Sequence, residues 1–315
     1  MKNLIEIKGD ASFRKFFRKR YKNFSSIIVF STKEKNKNLL IYDAINKILS
    51  QNKILAPRLY KESFNKNFIE IQDFGNETIF KKLNKKSINK LSYFKKIIHL
   101  LNKIQSIKNR KIINFKSKTY IIPKYDAKIL IKEANLFCEW YVKKSLSKLR
   151  GDKFSKEFKK VVKNLTTNLK LKNKFLVHRD FHVSNLMLIK NKIGLIDSQD
   201  ALIGNQAYDL ASLIDDVRFK TSKSFKKRVF NFYIKKQKKL DIKKFKNDFE
   251  ILSILRNLKI IGIFTRLAVR DGKKNYLKLI PYTWKLIDLR INENKIFYDL
   301  KRLLDQNFKG KLNAN

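Results

Sequence analysis

The segment His178-Arg179-Asp180-Phe181-His182-Val183-Ser184-Asn185 gathers base, metal-ligand and cationic chemistry into eight residues, and Asp197 follows Asn185 by twelve positions. In the pattern H-R-D-x-x-x-x-N the Asp orients an attacking hydroxyl and accepts its proton, while the Asn meets a divalent cation. A second Asp beyond a short hairpin adds another hard oxygen ligand. Asp180 therefore reads as the catalytic base, Asn185 and Asp197 as metal ligands, and the chemistry as phosphoryl transfer to a hydroxyl. The plainer reading makes all three ordinary turn residues, since Asp and Asn favour turns. The agreement of motif and flanking pattern weighs against it. His178 is read as a brace for the loop rather than an acid or base.

Those side chains need elements to hold them. Phe175-Leu176-Val177 runs apolar into the loop and Leu186-Met187-Leu188-Ile189 leaves it. Lys190-Asn191-Lys192 is able to turn, and Ile193-Gly194-Leu195-Ile196 returns to Asp197, so a loop followed by a small hairpin is expected. Upstream, short β segments are expected near 5–8, 16–19, 26–30 and 68–72, with a helix near 41–51. Helical periodicity then dominates, near 88–105, 128–149, 156–171, 208–216, 224–236, 242–269 and 281–289. Asp73-Phe74-Gly75-Asn76 has the turn chemistry of a hinge where the two halves meet. Two lobes follow: residues 1–74 as a nucleotide-binding lobe, and residues 75–315 as a helical lobe carrying the catalytic loop and substrate site.

Gly9-Asp10-Ala11-Ser12-Phe13-Arg14 lies between two β segments and is the candidate phosphate loop, with Ser12 and Arg14 as nucleotide contacts; with a single glycine, an ordinary β-turn is an equal reading of these residues alone. Asp73 is a third candidate nucleotide contact, at the hinge. No lysine stands in the strand near 26–31, and the following helix offers Asp43 but no Glu. Lys33, Arg14 and Arg18 are the candidate cations for the phosphates.

The 315 residues are enough for a sizeable core, and 43% hydrophobic content with 25 Phe and 12 Tyr argues for a folded chain despite 32% charged residues. No stretch has the apolar length of a signal peptide core or a membrane helix, so a cytoplasmic location without membrane association is expected. The one cysteine, Cys138, excludes an internal disulfide, and no Cys/His cluster has zinc spacing. The formal charge of +47 raises the possibility of nucleic-acid binding. Lysines are spread from end to end alongside abundant Asn and Ile, which share A/T-rich codons with Lys, so a biased genome explains them more simply and no specific nucleic-acid partner is expected. Three prolines and eight glycines leave no linker and no internal repeat.

With these residues in hand, the chain resembles bacterial members of the aminoglycoside phosphotransferase-like family of small-molecule kinases. That resemblance implies an α+β, bilobal protein-kinase-like fold with a small β-rich N-lobe and a larger helical C-lobe, and ATP and Mg²⁺ as cofactors. Proteins of the family commonly carry a histidine at the place of His182. G-D-A-S-F-R at 9–14, Y-D at 125–126, E-x-x-L-F-x-x-W-Y at 133–141, I-D-S-Q-D-A at 196–201 and R-N-L-K-I-I-G-I-F-T-R-L-A-V-R-D-G-K at 256–273 are similar to the anomeric sugar kinases of cell-wall recycling. That branch phosphorylates the anomeric hydroxyl of N-acetylmuramate and N-acetylglucosamine. One departure is Ser198, where similar proteins carry an aromatic after the metal Asp; a serine there removes apolar packing beneath the site.

The expected substrate is thus a small-molecule sugar, acted on by a monomer. Glu133, Trp140 and His182 are candidate sugar contacts, a carboxylate for hydroxyls and an indole for a pyranose face; alternatively Trp140 packs the helix core with Phe137 and Tyr141. Arg256, Lys259, Arg266 and Arg270 recur at near-helical spacing, as a solvated basic face or as one cation placed against a substrate carboxylate. Rival readings are a kinase of an aminoglycoside, choline or homoserine, a catalytically idle kinase-like protein, and a nucleic-acid binder. With 27 acidic against 74 basic residues, a polycationic substrate is electrostatically unattractive.

Overall fold

Val29 stands opposite Ile69, and Ile27 opposite Ile71, across two antiparallel strands. Period-two alternation puts these four on one face, where Leu39 and Tyr42 of a helix cover them. The computed structural model describes residues 4–7, 14–292 and 294–312. They divide into two compact units, one of residues 1–123 with 175–203 and one of residues 124–174 with 204–315.

In the first unit, β1 (Leu4–Ile7), β2 (Lys15–Arg20), β3 (Ser25–Phe30), β4 (Leu59–Ser63) and β5 (Phe68–Gln72) form an antiparallel sheet in the order β1-β2-β3-β5-β4. The covering helix is α1 (Lys37–Gln51), whose Leu39, Tyr42, Ile45 and Leu49 recur at helical spacing and are buried. β5 runs into Asp73–Asn76, where Gly75 takes φ +80, a conformation glycine adopts without Cβ strain. Beyond it come α2 (Ile79–Leu83), α3 (Lys90–Gln105) and a small ribbon of β6 (Lys111–Ile113) and β7 (Thr119–Ile121). Asn89 caps α3 by accepting from the Ser92 N–H at 3.0 Å.

The chain re-enters this unit at β8 (Phe175–Val177) and passes through the candidate catalytic loop into the hairpin of β9 (Leu186–Ile189) and β10 (Lys192–Leu195). Lys190 and Asn191 turn it with φ of 43° and 65°, the left-handed pair a two-residue hairpin demands. β11 (Leu202–Gly204) pairs with β8. The Leu195 N–H donates to the Leu55 carbonyl at 2.8 Å and the Leu188 N–H to the Glu77 carbonyl at 2.8 Å, so the hairpin is tied to the segments that flank the sheet.

The second unit is helical: α4 (Ala127–Ala134), a π-helical turn at Phe137–Val142, α5 (Lys143–Ser145), α6 (Lys148–Thr167), α7 (Ala207–Ile214), α8 (Lys223–Lys235), α9 (Ile242–Val269), α10 (Ile280–Ile291) and α11 (Tyr298–Asn307). α9 is buried almost all round and is the axis of this unit, with α4, α7, α10 and the π-turn against it. Its backbone meets the π-turn closely at Gly262, where a Cβ would fall 2.3 Å from the Leu136 carbonyl carbon. Phe137 stacks on Tyr141 at 5.3 Å and contacts Phe158, Trp284 and Phe308 at 5.7–5.8 Å between ring centroids. Emptying the Phe137 site costs about 3–5 kcal/mol.

The expected α+β fold, with a β-sheet N-terminal part and a helical C-terminal part, is therefore present. The helices expected at 128–149 and 156–171 run differently. The break falls at extended Leu146 and Ser147, and α6 runs straight through Gly151, whose carbonyl accepts from the Ser155 hydroxyl at 2.7 Å. β4, α2, the β6–β7 ribbon and α11 are additional elements. Residues 175–203, with the loop of His178–Asn185, fall in the same compact unit as the N-terminal sheet.

Candidate functional site

The catalytic loop holds its shape through its own backbone and amide groups. The His182 N–H donates to the Asp180 carbonyl at 3.0 Å and the Asn185 N–H to the His182 carbonyl at 2.9 Å. The Asn185 side-chain amide also donates to the Asp180 carbonyl, at 3.0 Å. That bond uses the donor end of Asn185, and the oxygen at the other end is the one with metal-ligand chemistry. The Ile196 N–H donates to the Asn185 carbonyl at 3.1 Å, tying the loop to the strand end that carries Asp197. His178 braces the same junction, its Nε2 lying 3.1 Å from the Ile196 carbonyl oxygen. Asp180, His182, Asn185 and Asp197 are thus brought into one hydrogen-bonded loop and hairpin.

Two backbone positions here are unusual. Arg179 has φ +75 and Asp197 φ +63, both in the left-handed region, which non-glycine residues adopt at a cost and which concentrates at functional positions. Arg179 is held by its guanidinium, which donates to the Asp200 carbonyl at 3.0 Å.

Asp197 has a cationic neighbour, Arg14, whose Nη2 donates to its Oδ1 at 2.7 Å. The Arg14 side chain is buried and that of Asp197 is 39% exposed. Arg14 also lies over the Phe16 and Tyr42 rings at 5.5 and 5.8 Å. Burial pushes the Tyr42 phenol up to about 12, Asp197 adding to the effect while Arg14 and a hydrogen bond with Asn46 oppose it. Next in the chain, fully buried Ser198 donates to the Asn46 side-chain oxygen at 2.5 Å, and Asn46 donates onward to the Pro57 carbonyl at 3.1 Å. Helix α1 therefore carries Tyr42 and Asn46 to the segment of Asp197 and Ser198. Ser198, which departs from the related pattern, is half of that link.

Among the other candidate cations, Arg18 grips Asp73 through two bonds of 2.5 and 3.0 Å. Ser25 and the Gly75 N–H complete the Asp73 cage at 2.7 and 2.8 Å. Burial works against ionisation, yet the bonds from Arg18, Ser25 and Gly75 hold Asp73 below the usual carboxylate range. Lys33 is exposed on a 3-10 turn. Ser12 lies outside the described residues.

Glu133 and Trp140 belong to the second unit. Glu133 accepts from the Tyr125 hydroxyl and pairs with Lys259 at 3.0 Å. Trp140 is half-buried on the π-turn, and the indole in the aromatic core is Trp284 instead. A groove of about 730 Å³ between α4 and α6 is bordered by Lys128, Lys132, Lys156 and Lys159 and holds none of the candidate residues.

A divalent cation fits the donor set of the loop. Among the described residues no group of three or more His, Cys, Asp or Glu forms a cage. One carboxylate and one amide oxygen suit a hard cation completed by phosphates and water, and Arg14 already supplies positive charge at that carboxylate.

The chain belongs to the phosphotransferase enzyme family, whose model matches residues 3–241. It is a phosphotransferase acting on a hydroxyl acceptor. An N-acetylmuramate/N-acetylglucosamine kinase of Neisseria meningitidis is 29% identical over 279 residues, covering 87% of this chain and 81% of that protein. One of Pseudomonas aeruginosa is 26% identical over 308 residues, covering 96% and 87%. In fold, the chain is similar to Plasmodium vivax ethanolamine kinase, with TM-score 0.62 and 15% identity over 94% of this chain and 83% of that one. It is similar too to an ADP-bound aminoglycoside phosphotransferase, APH(2'')-Ib, with TM-score 0.58 and 14% identity over 93% and 94%. No helix among the described residues is long and apolar enough to cross a membrane.

Proposed function

We propose that this protein is an ATP- and Mg²⁺-dependent sugar kinase that phosphorylates the anomeric hydroxyl of N-acetylmuramate and N-acetylglucosamine. The observation that carries the reading is the single hydrogen-bonded loop and hairpin holding Asp180, Asn185 and Asp197, in a chain whose curated relatives are named N-acetylmuramate/N-acetylglucosamine kinases. Asp180 accepts the proton of the sugar hydroxyl, whose oxygen bonds to the γ-phosphorus as the bond to the β-bridging oxygen breaks and ADP leaves. A divalent cation held by Asn185 and Asp197 would neutralise charge on the phosphoryl oxygens. Ser12, Arg14 and Asp73 serve the nucleotide from a lobe spanning residues 1–74, Asp73 at its hinge. Glu133, Trp140 and His182 serve the sugar from residues 75–315. Arg14 takes the place of the absent strand lysine, being the candidate cation that meets the metal carboxylate.

The test is a substrate panel of both amino sugars, kanamycin and choline with purified protein, followed as ADP release and by NMR of the product. Sugar-dependent turnover with phosphate on the anomeric oxygen is expected. Turnover with kanamycin or choline alone would keep the phosphotransferase and discard its substrate.

A further inference from the structure

Arg256 is 4% exposed, in the middle of α9. Lys226, the other buried cation among the second unit's described residues, meets Asp215 at 3.2 Å, and half-buried Arg290 meets the same carboxylate at 2.9 Å. Arg256 has none. Its Nη1 is sealed from solvent without a hydrogen-bond partner, and no ion pair or ring contact is made by its guanidinium among the described residues. A buried guanidinium without an anion is costly, and an N–H donor sealed without an acceptor adds to that cost. Such a group persists where something outside the chain completes it.

Further polar groups lie on α9 and on the elements packed against it. One helical turn further on, Lys259 is paired with Glu133, which also accepts from Tyr125. Tyr125 meets Tyr208 edge to face at 5.0 Å between centroids. The Tyr208 hydroxyl, the Ser212 hydroxyl and the Asn257 side-chain oxygen are buried without partners. Tyr208 and Ser212 lie one turn apart on α7, which packs against α9. Buried polar groups without a protein partner call for one.

We propose that Arg256 is the anion hook of the substrate site: its fork takes the carboxylate of an acid-bearing amino sugar and sets the preference for that sugar over a neutral one. The inference rests on the sugar-kinase reading and adds the determinant of specificity. Of the two substrates named for the relatives, N-acetylmuramate carries a carboxylate and N-acetylglucosamine does not. The guanidinium fork matches a carboxylate with two parallel hydrogen bonds.

The experiment uses the full chain with Arg256→Met, which keeps length and removes charge, and Arg256→Lys, which keeps charge and removes the fork. The ratio of kcat/KM for N-acetylmuramate to that for N-acetylglucosamine is expected to fall about 10–100-fold in Arg256→Met and less in Arg256→Lys. Nucleotide-free calorimetry should show the same loss for N-acetylmuramate binding. Because the charge is unpaired without ligand, the Tm of Arg256→Met should equal or exceed the wild-type value. A parallel fall for both sugars with a lowered Tm would make Arg256 structural, and a rise in KM for ATP with an unchanged sugar ratio would assign it to phosphate; either overturns the proposal. A wild-type protein that phosphorylates neither sugar overturns the kinase assignment before any variant is made, and the hook with it.

Discussion

Arg14 Nη2 and Asp197 Oδ1 lie 2.7 Å apart although 183 residues separate them in the chain. One oxygen of the expected metal carboxylate is thus already neutralised by a side chain that the phosphates of a nucleotide can also attract. On the proposed reading Arg14 is expected to compete with a bare cation for Asp197 and to leave it for the phosphates of a nucleotide.

Removing that competitor should be visible without turnover. Arg14→Ala is expected to tighten Mn²⁺ binding to the nucleotide-free protein by a factor of about 3–10, because the carboxylate loses its internal partner, while KM for ATP rises. Electron paramagnetic resonance of free Mn²⁺ measures the first effect. Unchanged Mn²⁺ affinity would show that the ion pair does not oppose the metal.

Asp180→Asn keeps the shape of the loop and removes the proton acceptor. Its kcat should fall by a factor on the order of 10²–10⁴ with nucleotide affinity nearly intact. Near-wild-type turnover would remove Asp180 from the base role.

Ser198→Ala leaves the Asn46 oxygen without the hydroxyl it accepts, inside a region lined by Ile45, Leu49, Leu176 and Leu195. A loss of about 1–3 kcal/mol is expected. Ser198→Phe, restoring the aromatic of similar proteins, should be worse, since the space around Ser198 is closed. Urea midpoints for the two variants give the order, and a stabilised Ser198→Phe would contradict it.

Asp215 answers Lys226 and Arg290 and accepts from Ser253 at 2.6 Å. Burial alone would raise it, but Arg290 and Lys226 hold it well below its ordinary 3.8. A carboxylate so depressed adds stability that is complete above its unfolded value and is lost as the pH falls through it toward the folded one. Asp215→Asn is therefore expected to cost about 3–5 kcal/mol at neutral pH, with the gap to wild type closing below about pH 4. Denaturant unfolding at about pH 7, 4 and 2.5 measures it, and a gap that stays constant to the lowest of these would rule the ion pairs out as its source.

The catalytic loop was legible in the sequence because its signal is local, with polar residues at fixed spacing and a hairpin whose turn residues, Lys190 and Asn191, announce themselves. α9 was legible to the residue, from 242 to 269, because an apolar run bounded by Asp241 leaves little choice. The Arg14–Asp197 and Ser198–Asn46 contacts span 183 and 152 residues, and no periodicity in either segment encodes a partner so far away. Arg256 was legible as one of four cations at near-helical spacing from 256 to 270, but not which of the four is buried; its lack of a partner is a property of packing. β4 escaped because Leu59-Tyr60-Lys61-Glu62-Ser63 forms an edge strand, half-exposed and without clean alternation.

The π-turn carries the chain's one sulfhydryl, Cys138, 3% exposed and pushed up to about 12 by burial. A thiol both sealed and protonated is inert to disulfide reagents until its surroundings open. The molecule thus contains its own clock: the rate at which a chromogenic thiol reagent consumes Cys138 in native buffer reads the opening of the helical unit, with no label added. A sugar that binds this unit would slow the clock by the factor its binding stabilises the closed state.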